Sequence, residues 1–287
     1  MLLSAAQARR APSGTLALDA ANPVISVAIE GVPLRLRVDL NQQNSVELNP
    51  AAAVRLPVKW EKDEPTDVGR VRLDSRVARA AMRVDGRVVQ TQVSEHGRDC
   101  CADSDGAIGP DLLPYATVRW RNALAPPPAA SLSFPLVVSP DDGLSAPAGV
   151  ANVRLRFALG QARSVGTAAA GATLSRLWDG RWDGPPERVI LIFGVTRPAR
   201  IIAFAGPSRL AGFRFDRLLV RISDFAGDEK LPADPARGDE IVVSHRLSRQ
   251  QARPVVLIGA DRLSRCTEVV YQALPRSLTL HCAFDAP

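Results

Sequence analysis

The chain has 287 residues, 46% hydrophobic and 23% charged, with 23 prolines and 20 glycines. This balance excludes a disordered chain, and no apolar run reaches the roughly 18 residues of a membrane-spanning helix. The net charge of +6 is carried almost wholly by arginine, the lysines being Lys59, Lys62 and Lys230. The arginines are scattered beside acids rather than clustered with aromatics, which reads as a solvated surface and not a nucleic-acid groove.

Residues 1–13 contain Ala6-Gln7-Ala8 behind a few apolar residues. They read either as the remnant of a secretory signal or as a disordered N-terminus. "VISVAIEGVPLRLRVDL" then alternates in hydrophobicity around Glu30-Gly31, a hairpin signal. Its second strand ends in Asp39, followed by Leu40 and Asn41. "LNPAAAVRL" starts a short helix, with Asn49 placed to cap it and Pro50 suited to its first turn. "AAMRVDGRVVQTQVS" is a second hairpin around Asp85-Gly86. His96, Cys100 and Cys101 follow in "SEHGRDCC", read as a loop histidine beside structural cysteines. "DGAIGPDLL" comes next, with Asp105 expected in a turn and Asp111 expected to cap a helical turn.

Composition shifts between Ala123 and Gly149, and Pro126-Pro127-Pro128 favours an extended linker. Beyond it, "RLRFALG" at 154–160 repeats "RLRVDLN" at 35–41. In the same register Ser164-Val165 meets Ser45-Val46. "TAAAGATLSRLW" is a weaker helix candidate with Gly171 inside it. Trp178 and Trp182 fall in "LWDGRWDGPPE", read as a turn-rich loop pinned by aromatics within the inserted part of the second half. "RVILIFGVTRPARIIAF" is a third hairpin, expected to turn near Thr196 to Ala199. Asp224 ends "FDRLLVRISD" and is expected at the far end of a strand. "IGADRL" at 258–263 repeats "IGPDLL" at 108–113, with Asp261 matching Asp111 as a cap. The two repeats are offset by 119 and 150 positions, so the second half carries about 31 extra residues and the chain reads as an internal duplication.

The last segments, "CTEVVY" and "SLTLHC", flank "QALPR" and set Cys266 opposite Cys282. A cross-strand disulfide there would stabilise the fold by roughly 3 kcal/mol. Cys100 and Cys101 are adjacent; neighbours rarely bond each other, so they either pair elsewhere or remain thiols. His281 is expected on the face opposite Cys282. The cysteines lack the spacing of a zinc site, and no metal or cofactor is expected. Motifs for phosphate binding, dinucleotide binding, serine hydrolysis and zinc peptidases are absent.

An alternating strand ending in an acid, with "DGAIGPDLL" some 70 residues later, resembles a lobe of the retropepsin and pepsin-like aspartic peptidases. The likeness runs over most of residues 14–284. It implies an all-β, two-lobed acid-protease-like β-barrel fold with short helices. Its lobes would span 14–125 and 129–287, joined by a linker at 126–128. The hairpin at Asp85-Gly86 stands where the family has its flap. In that family two carboxylates share one proton across the lobe interface, one activating water and the other donating to the scissile carbonyl. Asp39 takes the first acid position, whereas Ala158-Leu159-Gly160 supplies no second acid. Leu40 replaces the hydroxyl residue of the family motif, and Asn41 replaces its glycine.

The resemblance therefore implies a degenerate site. An interlobe cleft lined by Asp39, Leu40, Asn41, Leu159, Gly160, Asp85 and Gly86 would take an extended peptide or unfolded polypeptide, with weak or no proteolysis. The alternatives are an active endopeptidase with an unrecognised partner acid, or a non-enzymatic envelope β-protein. A monomer in the periplasm or secreted is expected, with the cytoplasm as the alternative.

Overall fold

The computed structural model describes residues 11–68, 71–139, 143–206, 208–222, 224 and 253–285. Its first half runs β1 (Thr15–Asp19), β2 (Val24–Ile29), β3 (Val32–Val38), β4 (Val46–Leu48), α1 (Pro50–Ala53), β5 (Glu61–Val68), β6 (Val71–Val84), β7 (Arg87–Glu95), β8 (Gly106–Ile108) and β9 (Thr117–Arg121). The second continues with β10 (Ala130–Pro135), β11 (Val137–Ser139), β12 (Gly143–Pro147), β13 (Arg154–Phe157), β14 (Val165–Gly166), α2 (Ala168–Trp178), β15 (Gly180–Ile190) and β16 (Thr196–Phe204). It closes with β17 (Arg209–Leu210), β18 (Phe213–Arg214), β19 (Arg217–Arg221), β20 (Val255–Ile258), α3 (Ala260–Leu263), β21 (Cys266–Ala273) and β22 (Arg276–Cys282).

Turn chemistry explains the hairpins. Glu30 and Gly31 both adopt positive φ, as do Asp85 and Gly86, giving two-residue turns whose twist matches the flanking strands. The third hairpin turns at Leu191 to Val195, because Ile190 pairs with Thr196. The expected turn at Thr196 to Ala199 is instead the start of β16.

The two halves share one topology. In the first, β3 and β8 run parallel, β4 lies antiparallel to β8, and β4 runs parallel to β7. In the second, β13, β20, β14 and β19 repeat all three relations. The sheet order of the first half is β2-β3-β8-β4-β7-β6-β5, and a β2–β6 pairing closes six of these strands into a barrel. The sheet of the second half, β11-β12-β13-β20-β14-β19-β16-β15, stays open among the described residues. The fold is thus all-β and two-lobed, with a closed barrel in the first half and short helices.

A third sheet, β1-β9-β21-β22-β10, draws strands from both halves and ties them together. Glu268 on β21 accepts from Arg119 and Arg121 on β9, an ion pair between the halves within this sheet. Trp120, fully buried on β9, donates from Nε1 to the carbonyl of Val38 at 3.3 Å, so the shared sheet braces the strand that ends in Asp39. Cys266 and Cys282 form the expected disulfide between β21 and β22. His281 faces the other way and meets Ser131 Oγ at 2.6 Å.

The register corrects the gapless match between halves. Glu47 pairs with Ala107 and Ser94, and its counterpart is Val165, which pairs with Leu257 and Leu219. The loop after Ala158 is therefore one residue shorter than the loop after Asp39. The helix caps agree, with Asn49 matching Thr167. Most of the extra length of the second half falls between β19 and β20, largely outside the described residues, and not around the tryptophans. Trp178 ends α2 and meets Phe204 edge-on at 5.3 Å, while Trp182 lies within β15 under Arg200. The two belong to a helix and a strand, not to a turn-rich loop.

Candidate functional site

Asp39 leaves β3 with its amide bonded to the Ile108 carbonyl at 2.9 Å. Ala158 leaves β13 in the same way, its amide 3.0 Å from the Ile258 carbonyl. Each loop then packs under an Ile-Gly step. A Cβ on Gly109 would lie 2.2 Å from the Gln42 carbonyl oxygen, and one on Gly259 would lie 2.7 Å from that of Gln161. Both glycines have negative φ, so the need is for space and not for a left-handed backbone. These glycines also occupy the N-cap positions expected of Asp111 and Asp261. Asp261 instead accepts from the amide and hydroxyl of Ser164, at 2.7 and 2.8 Å.

The loops meet each other. Asp39 Oδ1 accepts from the Asn41 amide at 2.8 Å, and Oδ2 faces Gly160, where an added Cβ would stand 3.3 Å away. Arg156 Nη2 donates to the Asn41 carbonyl at 3.1 Å, bridging the halves. Leu40 is buried in the core and Leu159 packs against it, so neither offers a hydrogen bond between the loops. Arg156 takes over that brace. Asn41 is not left-handed; the residue of its loop that is left-handed is Asn44.

Asp39 is partly exposed as a residue, yet protein surrounds its carboxyl. Burial raises its pKa above the ordinary value of 3.8, against the opposing pull of the Asn41 amide, Arg37 and Arg156. Among the described residues no second carboxylate acts on it. The electrostatics are those of one enclosed acid between two arginines, not of two acids sharing a proton. Arg37 and Arg156 are themselves equivalent positions in "RLRVDLN" and "RLRFALG", a repeated signal legible in the sequence beside the acid.

The other sequence candidates are placed as follows. Asp85 accepts from the Tyr115 hydroxyl, and Arg87 donates to the Ser13 and Pro114 carbonyls at 2.8 and 2.7 Å. The Asp85-Gly86 turn is thus tied to residues flanking β1 and β9. Among the described residues the β15–β16 hairpin reaches the opposite half, where its Phe193 and Val195 pack on Leu73. Phe193 also stacks on His96 with ring centroids 4.2 Å apart.

His96 Nδ1 meets the buried Glu47 carboxylate at 2.9 Å, and Nε2 meets Thr66 Oγ1 at 3.2 Å. Ser94 Oγ donates to Glu47 at 2.7 Å, so the acid is satisfied. Asp105 accepts from the Arg35 amide and from Arg55, consistent with a turn residue. Asp224 accepts from the Ala168 and Ala169 amides at 2.9 Å each, anchoring the start of α2. Asn49, expected to cap α1, turns its side chain to the loop beyond β7. It accepts from the Cys100 amide at 2.9 Å and donates to the Cys101 and Ser104 carbonyls at 2.7 and 2.9 Å. His245 lies outside the described residues.

No protein-family model matches this chain, and no curated protein does. Among solved structures it is similar to EIAV protease complexed with the inhibitor HBY-793, at 21% identity over 32% of this chain and 85% of that one, with a TM-score of 0.26. A likeness this slight adds nothing to the strand registers described above.

Proposed function

We propose that the chain is a divergent aspartic-peptidase-like protein that binds extended polypeptide between its lobes and has weak or no proteolytic activity. The observation that carries this reading is the enclosed Asp39 carboxyl facing Gly160, with Ala158 at the matching strand end. Peptide hydrolysis by this architecture needs one carboxylate to activate water and a second, protonated one to donate. A single acid flanked by Arg37 and Arg156 lacks the donor. In this reading Leu40, Asn41, Leu159 and Gly160 border the bound chain, and the lobes divide at residues 126–128. The buried disulfide supports a periplasmic or secreted location. The protein acts as a monomer.

The test is incubation with an unfolded polypeptide mixture between about pH 3 and 7, the range in which coupled carboxylates titrate. No cleavage is expected, while labelled extended peptides are retained. Pepstatin-sensitive cleavage that is lost in Asp39→Asn would replace this reading with that of an active peptidase. Failure both to cleave and to retain peptide would favour a structural β-protein.

A further inference from the structure

Cys100 and Cys101 stand in the loop that Asn49 holds, and both are partly exposed. Their sulfurs are 2.7 Å apart, against about 2.05 Å in a disulfide. The loop is held at four points by one side chain, since Asn49 also reaches the Cys101 amide at 3.4 Å. The pair is therefore set face to face before any bond forms. The remaining two cysteines are already bonded to each other and buried. We propose that Cys100 and Cys101 are a redox modification site, forming a reversible disulfide between neighbours by exchange with a small-molecule disulfide.

The exchange balances as follows. The Cys101 thiolate attacks one sulfur of the donor disulfide, whose sulfur–sulfur bond breaks and releases a thiolate that takes up a proton. Cys100 then loses its proton and attacks the Cys101 sulfur, expelling the second donor thiol. Two protein thiols are oxidised by two electrons, and one donor disulfide is reduced to two thiols. The roles follow from the surroundings. The contact with the Cys100 sulfur pushes the Cys101 pKa down, with the Ser104 hydroxyl and Arg37 acting in the same direction against burial and the nearby Asp39. The same hydrogen bond, burial and the nearby Glu47 push Cys100 up. Cys101 is thus the attacking thiol and Cys100 the resolving one. Cys100 packs on the cluster of Leu73, Phe193 and Val195, so the site lies against the tip of the β15–β16 hairpin.

The experiment takes the full chain after mild reduction, exposes it to oxidised glutathione, quenches with an alkylating agent and maps the peptide holding residues 100 and 101. Wild type is expected to lose both alkylation sites there, with the mass of the peptide lowered by two hydrogens. Dithiothreitol should restore both sites. Cys100→Ser is expected to accumulate a glutathione adduct on Cys101 that wild type does not, because the resolving thiol is gone. Retention of both alkylation sites in wild type, a stable glutathione adduct in wild type, or a bond from either cysteine to another chain would each overturn the proposal. Equal adduct levels in wild type and Cys100→Ser would overturn it as well.

Discussion

At the scale of single residues, Asp39 sits at a strand end with its carboxyl enclosed by protein. Burial disfavours its charge, and the Asn41 amide and the two arginines reduce that penalty without cancelling it. A carboxyl whose folded pKa is raised contributes most favourably below its unfolded value, and that contribution is lost as pH rises through the folded value. Near neutral pH the folded chain therefore bears the burden of an enclosed anion. Asp39→Asn keeps an oxygen to accept from the Asn41 amide and removes the charge. It is expected to raise stability at pH 7, because the folded chain no longer holds an enclosed anion. The gain should shrink as the pH falls through the raised folded value and be gone by about 4, the ordinary range of an aspartate. Thermal melts of both proteins across this range decide the matter, and a variant less stable than wild type at pH 7 would show that the charge is needed. Gly109 makes a separate point. Its Cβ would strike the Gln42 backbone oxygen, so Gly109→Ala should cost about 1–3 kcal/mol or prevent folding, read from urea midpoints.

At the scale of elements, helix α2 shows why propensity alone misleads. Thr167 caps it, accepting from the Ala170 amide at 3.1 Å, yet Gly171 stands in its interior. On an exposed helix Gly→Ala would stabilise by about 1 kcal/mol. Here an added Cβ would lie 2.4 Å from Val220 Cγ1 on β19, in a fully buried contact. Gly171→Ala is therefore expected to destabilise by about 1–3 kcal/mol, and adding Val220→Ala should recover part of the loss. Chemical denaturation of the three variants tests the sign. In α1 the N-cap position is legible as a polar residue before Pro50, but its side chain does not cap the helix, and its partners are not legible. Asn49 bonds to residues some fifty positions away, and no local pattern announces such contacts.

At the scale of the molecule, the shared sheet, the Arg156 bridge to Asn41 and the crossing of the β15–β16 tip onto Leu73 and His96 join the halves. Phe193→Ala should cost about 3 kcal/mol and leave the hairpin more open to proteolysis at Leu191 to Val195. A change in the urea midpoint worth less than about 0.5 kcal/mol would mean that the crossing adds nothing to stability. The sequence by itself determined the β character, the Glu30-Gly31 and Asp85-Gly86 turns, the Cys266–Cys282 pairing and the echo of "RLRVDLN" in "RLRFALG". Each depends on alternation or on turn residues, which act over a few positions. Only the tertiary structure decided that the second loop is one residue shorter, that Arg156 bridges the lobes, and that the β15–β16 hairpin makes the crossing. It also decided that Asp39 has Arg37 and Arg156, and among the described residues no second acid, acting on it. Those outcomes depend on which strands pair across a hundred residues or more, where the chain's own spacing carries no information about distance.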